Sequence, residues 1–272
     1  MEGVLRVEGA SLPYRSEGSG QPMLVLGSPT FYARALPAAL RSDFELVFVE
    51  LRHFVPIEEG FDSSKIDFDL YAEDIEVLRQ AAGVERPIVL GSSVQGAIAR
   101  EYAARYPQHV RGIADLNSWP ITGDKTPTQE EFWAADASPE RRAQHELNLA
   151  TRTNPDPVTT GAEWVLRYVA RGAWYWYDAA FDCTPLWAGV EPNLSVFRQL
   201  GEDIGFSAAD TPTFLGLGRY DYIVPYTWWD PYVPRYAELT YKLYDRSGHL
   251  PFVEQPEEFA ADLAEWAAGL DR

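Results

Sequence analysis

The sequence predicts an α/β fold: a mostly parallel sheet flanked by helices and interrupted by one helical insertion. Three observations carry this. Short apolar runs alternate with helix-compatible stretches through the first half of the chain, the alternation resumes near its end, and residues 118–207 between them carry no buried-strand signal. With 272 residues, 46% of them apolar, the chain can bury one large core, and α/β chains of this length are often one domain with an insertion.

Residues 4–7 and 12–15 read as short strands, and the turn-forming Gly18-Ser19-Gly20-Gln21-Pro22 leads into a stronger strand at 23–26. Helix-compatible residues follow at 31–40 and a strand at 44–49. In 67–82, Leu70, Ile75 and Leu78 fall at helical spacings. Strand 88–90 passes through a Gly-Ser turn into a helix ending near 106, and strand 110–116 completes the first half. In the insertion, helices at 127–135, 139–151 and 161–173 precede the aromatic string Trp174-Tyr175-Trp176-Tyr177. Six of the nine tryptophans fall in this segment, which marks a cap presenting apolar surface rather than a solvated linker. Strand 213–217, a loop through Asp221, a helix near 226–236, strand 239–244, the loop 247–251 and a helix at 257–270 end the chain. The expected division is a core of 1–117 and 208–272 with an aromatic-rich cap at 118–207.

Charge narrows the function classes. Against 41 Asp and Glu stand 23 Lys and Arg, a formal charge of −18, so the basic footprint that nucleic acid or an anionic membrane requires is missing. Neither is expected as a partner; a small-molecule substrate is, and the oligomeric state is left open. Cys183 is the only cysteine, which excludes an intrachain disulfide and a cysteine metal cluster. The opening Met-Glu-Gly-Val-Leu-Arg-Val-Glu-Gly has no basic, then apolar, leader pattern, and no segment approaches the roughly 18 unbroken apolar residues of a membrane span. A cytoplasmic location is the expectation. The sequence holds no H-x-x-x-H or H-E-x-x-H pattern and no Gly-rich phosphate or dinucleotide fingerprint, so neither metal nor cofactor is expected.

The chemistry-bearing stretches lie at the ends of predicted strands. Gly91-Ser92-Ser93-Val94-Gln95-Gly96 joins a strand directly to a helix, a context that puts Ser93 at the apex of a sharp turn and Ser92 at the variable position before it. Gly218-Arg219-Tyr220-Asp221 follows one later strand. Ser247-Gly248-His249 follows the next, ahead of Phe252-Val253-Glu254-Gln255-Pro256.

In this order the three stretches resemble the α/β-hydrolase family over nearly the whole chain. The resemblance implies a Ser93–His249–Asp221 triad: His249 takes the Ser93 proton and returns it to the leaving group, while Asp221 fixes the imidazole tautomer. It also implies an oxyanion hole from the Val94 N–H and, since Leu26-Gly27-Ser28-Pro29-Thr30 resembles the family's H-G-G-P-G loop, the Ser28 N–H. Two positions depart from the pattern: Gln95 replaces a small residue two positions after the nucleophile, and Leu26 stands where the loop's histidine is often found. Gln95 is expected to face the pocket and bind substrate, with Trp174, Trp176 and Trp187 as aromatic contacts from the cap. Asp115 and Asp210 remain alternative acids. His53, following a strand, His109, in a turn, and His145, on a polar cap helix, are the other histidines.

The Gly-Arg-Tyr-Asp loop, the His249 ending and the Leu186-Trp187-Ala188-Gly189-Val190-Glu191-Pro192 segment are similar to the proline-iminopeptidase-like branch. The expected activity is cofactor-independent hydrolysis of an ester or amide of a small, partly apolar molecule through an acyl-enzyme. Lactone, thioester or carbon–carbon bond hydrolysis and acyl transfer or cyclisation use the same triad. A ligand-binding protein that kept the scaffold without turnover is the alternative from another class.

Overall fold

The structure, a computed structural model, describes residues 2–197, 206–207 and 210–270. Eight strands form one sheet: β1 (Glu2–Val7), β2 (Ala10–Gly18), β3 (Gln21–Leu26), β4 (Phe44–Val49), β5 (Ile88–Ser92), β6 (Gly112–Leu116), β7 (Thr213–Gly218) and β8 (Leu239–Tyr244). Their order is β1-β2-β4-β3-β5-β6-β7-β8. The β1–β2 and β2–β4 pairs are antiparallel and the rest parallel. Because β3 to β8 run one way, their carboxyl ends share one edge, where an open α/β sheet forms its crevice. The register pairs Ser92 with Leu116, Leu116 with Gly216, and Gly218 with Tyr244 at that edge.

The continuous apolar runs of β3, β4 and β5 follow from burial on both faces. Met23, Val25, Leu46, Phe48 and Leu90 point into a cluster with Phe31 of α1 (Pro29–Ala35) and Phe259 and Leu263 of α12 (Pro256–Gly269). Leu24, Leu26, Val47, Val49 and Val89 point the other way, onto Ile75 and Leu78 of α3 (Phe68–Ala81) and Ala97 and Ile98 of α4 (Val94–Arg105). The Asp67 side chain caps α3 by accepting from Leu70 N at 2.9 Å.

Prolines account for two differences from the sequence reading. The helix expected at 31–40 is α1 and a separate turn, α2 (Leu40–Asp43), because Leu36 adopts an extended ψ of 139° ahead of Pro37. The helix expected near 226–236 is two 3₁₀ turns, Tyr226–Trp229 and Val233–Arg235, with Pro231 and Pro234 removing the donors a continuous helix needs. Between β6 and β7 lie α5 (Thr126–Asp136), α6 (Pro139–Thr151), α7 (Gly161–Ala170), α8 (Gly172–Tyr175), α9 (Thr184–Trp187) and α10 (Leu194–Phe197). The helix expected at 161–173 is thus α7 and α8, broken at Arg171. The expected cap boundary at 207/208 touches Ala208, which lies outside the described residues. A single-turn helix, α11 (Pro251–Glu254), and the 14-residue α12 follow β8. No helix among the described residues is long and apolar enough to cross a membrane.

α4 lies almost on top of the sheet. A Cβ on Gly91 would strike the Gln95 carbonyl, and one on Gly96 would strike the Asp115 carboxylate and, at 2.8 Å, the Ser118 Cβ. Arg100 of α4 forms a fully buried ion pair with Asp115 of β6 and lies 5.2 Å over the Trp229 ring, which fixes the helix against the strand. Gly96→Val should therefore destabilise the chain by at least about 1–3 kcal/mol, the usual cost of overpacking, read as a lower urea midpoint at unchanged slope.

Glu50, just past β4, is 8% exposed. Burial pushes its pKa from 4.5 up to about 8 despite hydrogen bonds from Leu51 N–H and the Ser28 hydroxyl. The folded chain thus holds a proton that the unfolded chain releases above pH 4.5. Stability from this group is fully present below pH 4.5, falls as pH rises towards 8, and is level beyond it. The full effect is roughly a few kcal/mol. Thermal unfolding from pH 5 to 8 should show Tm falling with pH, and Glu50→Gln should flatten that slope.

Candidate active site

Ser93 ends β5 and begins α4 with φ 60° and ψ −127°, a backbone conformation that non-glycine residues seldom adopt. Its N–H donates to Leu116 O at 2.8 Å, holding the turn against β6. Although it occupies the N-cap position of α4, its hydroxyl makes no capping bond. From Pro87 to Arg100, Ser93 is the single residue that is not buried. Ser92, by contrast, is 1% exposed on β5.

His249 sits in the loop after β8 and Asp221 in the loop after β7, so the parallel pair β7–β8 delivers both to one edge. His249 Nδ1 lies 2.6 Å from Asp221 Oδ2. The carboxylate is fully buried, and its Oδ1 accepts from the N–H groups of Ile223 and Val224, each at 2.9 Å. A carboxylate so placed holds the imidazole proton on Nδ1 and leaves Nε2 as an acceptor. Asp115 is committed to Arg100, and exposed Asp210 precedes β7 at the opposite end of the sheet from Asp221. Of the other histidines, His109 pairs with Glu76, and His145 packs edge-on against Trp133 in the cap.

Ser93, His249, Val94, Ser28 and Gln95 line one cavity of about 260 Å³. Val94, as the first residue of α4, has an N–H with no intrahelical acceptor, and Ser28 immediately precedes α1. With Leu26 fully buried in the core, the Ser28 loop is braced by other groups. Gly27 N donates to Val49 O at 3.0 Å, an Arg15 guanidinium nitrogen to Pro29 O at 3.1 Å, and the Ser28 hydroxyl to Glu50.

Gln95 is buried and lines the cavity, its Nε2 lying 3.0 Å from His53 Nε2. His53 Nδ1 is 3.0 Å from the Tyr71 hydroxyl. Complete burial pulls the His53 pKa down to about 3, so the ring is a neutral partner for the amide.

The aromatic wall differs from the expectation in two of three tryptophans. Trp187 lines the cavity, 4.6 Å from the Phe31 ring. Trp174 instead stacks at 4.5 Å on Trp133, inside the cap, and Trp176 is fully buried against Phe181. Neither lines the cavity, because the 174–177 string turns Tyr175 towards His249, with ring centroids 5.7 Å apart. Trp119, Trp164, Tyr168 and Phe197 complete the cap side of the wall.

Sequence reasoning missed Asn117. Its Nδ2 donates to Asp221 Oδ2 at 2.7 Å, and it stands at φ 44° just beyond β6. The available signal was an asparagine at the end of a strand, the residue type that most readily takes such a conformation after glycine. Among the described residues no three His, Cys, Asp or Glu side chains gather as metal ligands.

A family model for the alpha/beta hydrolase fold matches residues 54–256. The AB hydrolase superfamily protein YclE of Bacillus subtilis (strain 168) is 31% identical over 277 residues, covering 97% of this chain and 98% of that protein. A proline iminopeptidase of Heyndrickxia coagulans is 23% identical over 299 residues, covering 97% and 98%. The crystal structure of a proline iminopeptidase from Mycobacterium smegmatis superposes with a TM-score of 0.71 at 17% identity, over 100% of this chain and 99% of that one. The eight-stranded sheet, the cavity at its carboxyl edge and these matches agree: the chain belongs to the α/β-hydrolase family.

Proposed function

We propose that this hydrolase is a serine esterase that cleaves a small ester with an uncharged, largely apolar body through an acyl-enzyme. The observation that carries the reading is that Ser93, the one residue of the elbow that is not buried, shares a cavity with a His249 ring whose Nδ1 is committed to Asp221. A serine hydroxyl is a poor nucleophile until a base accepts its proton, and the free Nε2 of His249 supplies that base. Attack by Ser93 Oγ puts negative charge on the substrate carbonyl oxygen. The Val94 and Ser28 N–H groups then donate to it, each such donor being worth about 3–4 kcal/mol, with the amino end of α4 adding its dipole. His249 returns the proton to the leaving alcohol, and water, deprotonated by the same nitrogen, releases the acid.

An ester fits better than a peptide amino terminus. Aminopeptidase specificity needs a carboxylate to hold the substrate ammonium, and none of the described lining residues is Asp or Glu. Trp164, Trp187, Phe31 and Phe54 offer an apolar body a dry wall, and Gln95 contributes a polar contact. A small-molecule role in the cytoplasm accords with the acidic chain and its one buried thiol, Cys183.

Ser93→Ala should lower kcat by at least about 10⁴-fold and abolish labelling by a fluorophosphonate, whereas Ser92→Ala should leave both largely intact. Mass spectrometry of the labelled peptide checks the assignment; an adduct on Ser92 would overturn it.

Asn117 acts through Asp221 rather than on substrate. Asn117→Ala frees one side of the carboxylate and should cut kcat by about 10-fold to 100-fold while leaving KM within about threefold, because only the triad's alignment suffers. Equal loss in kcat and rise in KM would assign Asn117 to the cavity's shape instead.

A further inference from the structure

A second chamber adjoins the active-site cavity. It has a volume of about 390 Å³, and Trp164, Tyr168, Tyr175 and Phe197 line both spaces. What distinguishes it is charge. Arg167 of α7 and Arg171, four residues on, both line it, and no described lining residue is acidic. Four residues is about one helical turn, and Arg171, the residue that ends α7, donates its N–H to Arg167 O at 3.0 Å, so the two side chains issue from the same side of that last turn.

Two cations together are unexpected in a chain with 41 acidic and 23 basic residues. Like charges at this spacing repel, and the chamber does not neutralise them. Arg171 makes no side-chain hydrogen bond or ion pair with any described residue. Arg167 has Asp156 at 3.1 Å, but that carboxylate is 80% exposed, and the Arg167 Nε is buried without a partner. Both charges reach the inner cavity's wall, since they oppose the rise that burial imposes on the Tyr175 phenol. Tyr175 in turn accepts the His249 N–H on its carbonyl at 2.5 Å.

We infer that Arg167 and Arg171 bind the anionic end of the substrate, so that the preferred ester carries an apolar body ending in a carboxylate or phosphate. The inference rests on the serine-esterase reading and names its substrate class. The inner cavity holds the ester and its apolar neighbourhood among uncharged side chains. The outer chamber holds the oxyanion, which guanidinium groups bind through paired, charge-assisted hydrogen bonds. Locally, the two arginines offset the repulsion that a chain of net charge −18 exerts on any anionic substrate.

The test compares 4-nitrophenyl octanoate with two esters of the same length, the 4-nitrophenyl monoester of octanedioic acid and 4-nitrophenyl 8-phosphonooxyoctanoate. The wild type should favour at least one anionic ester by about tenfold or more in kcat/KM, and the better arm identifies the oxyanion. That preference should fade in high salt. Arg167→Gln with Arg171→Gln should cost about tenfold to hundredfold on the anionic ester and less than about twofold on the neutral one. No preference in the wild type, or equal loss on all three esters, overturns the inference. Octanedioate itself, titrated against tryptophan fluorescence, separates this failure from that of the esterase reading. Should Ser93 resist fluorophosphonate, the catalytic reading falls, yet binding of octanedioate that weakens about tenfold in Arg171→Gln still upholds the anion site. Unaltered binding in the variant sinks it.

Discussion

The structure turns on one backbone conformation, that of Ser93. At φ 60° and ψ −127° it costs on the order of 1–3 kcal/mol, and the surroundings must hold it there. They do so by proximity. Gly91 and Gly96 let α4 settle onto the strands, the Ser93 N–H is tied to Leu116, and Arg100 pins α4 to β6 through Asp115. An isolated buried ion pair would be weak evidence of stability, but breaking one partner leaves a charge in the core. Here that cost falls on the helix that begins at Ser93, so the pair is better understood as a device for position than as a store of stability.

The proposed base is held from the opposite side, and largely by the cap. The His249 N–H donates to Tyr175 O, and the Glu254 carboxylate accepts from Tyr177 N at 2.7 Å and Gly248 N at 2.6 Å. Glu254 therefore bridges the cap segment at Tyr177 and the histidine loop, its pKa pushed up to about 7 by burial. Arg141 of α6 completes the clamp by donating to the carbonyls of Ala173, Trp176 and Tyr177. The segment that shapes the cavity also positions the histidine. Cap and core are consequently one mechanical unit at the site.

This division explains what was legible in the sequence. A strand such as Phe44–Val49 matches its expected bounds because a buried parallel strand is announced by a local apolar run. Ser93, Asp221 and His249 stood out as candidates because each lies in a short turn directly after a strand, and the parallel order of the strands brings those turns to one edge. The cap offered no such rule. Its helices were readable, but which of Trp174, Tyr175 and Trp176 faces the cavity depends on long-range bonds from Arg141 and Tyr222, the latter donating its N–H to Trp174 O. Asn117 was hidden for the same reason: its partner is Asp221, more than a hundred residues away, at 2.7 Å.

Gln95 shows how a departure from the family pattern is absorbed. A buried amide needs a partner, and His53, at the turn after β4, provides one. The arrangement works because His53 does not ionise: with its pKa pulled down to about 3 by burial, it faces the amide as a neutral ring at neutral pH. With Nε2 committed to His53, the Oε1 acceptor is the amide atom left for the cavity that Gln95 lines. The Ser28 loop closes over the same group, since a Cβ on Gly27 would lie 3.5 Å from Gln95 Nε2 and against the Tyr32 ring. A small residue at position 95 would leave His53 Nε2 without its partner and open space beneath the Ser28 loop. The long side chain therefore serves two ends, filling the gap beside the elbow and setting an amide in a largely apolar pocket, so its packing role and its pocket-facing role are the same arrangement seen from two sides.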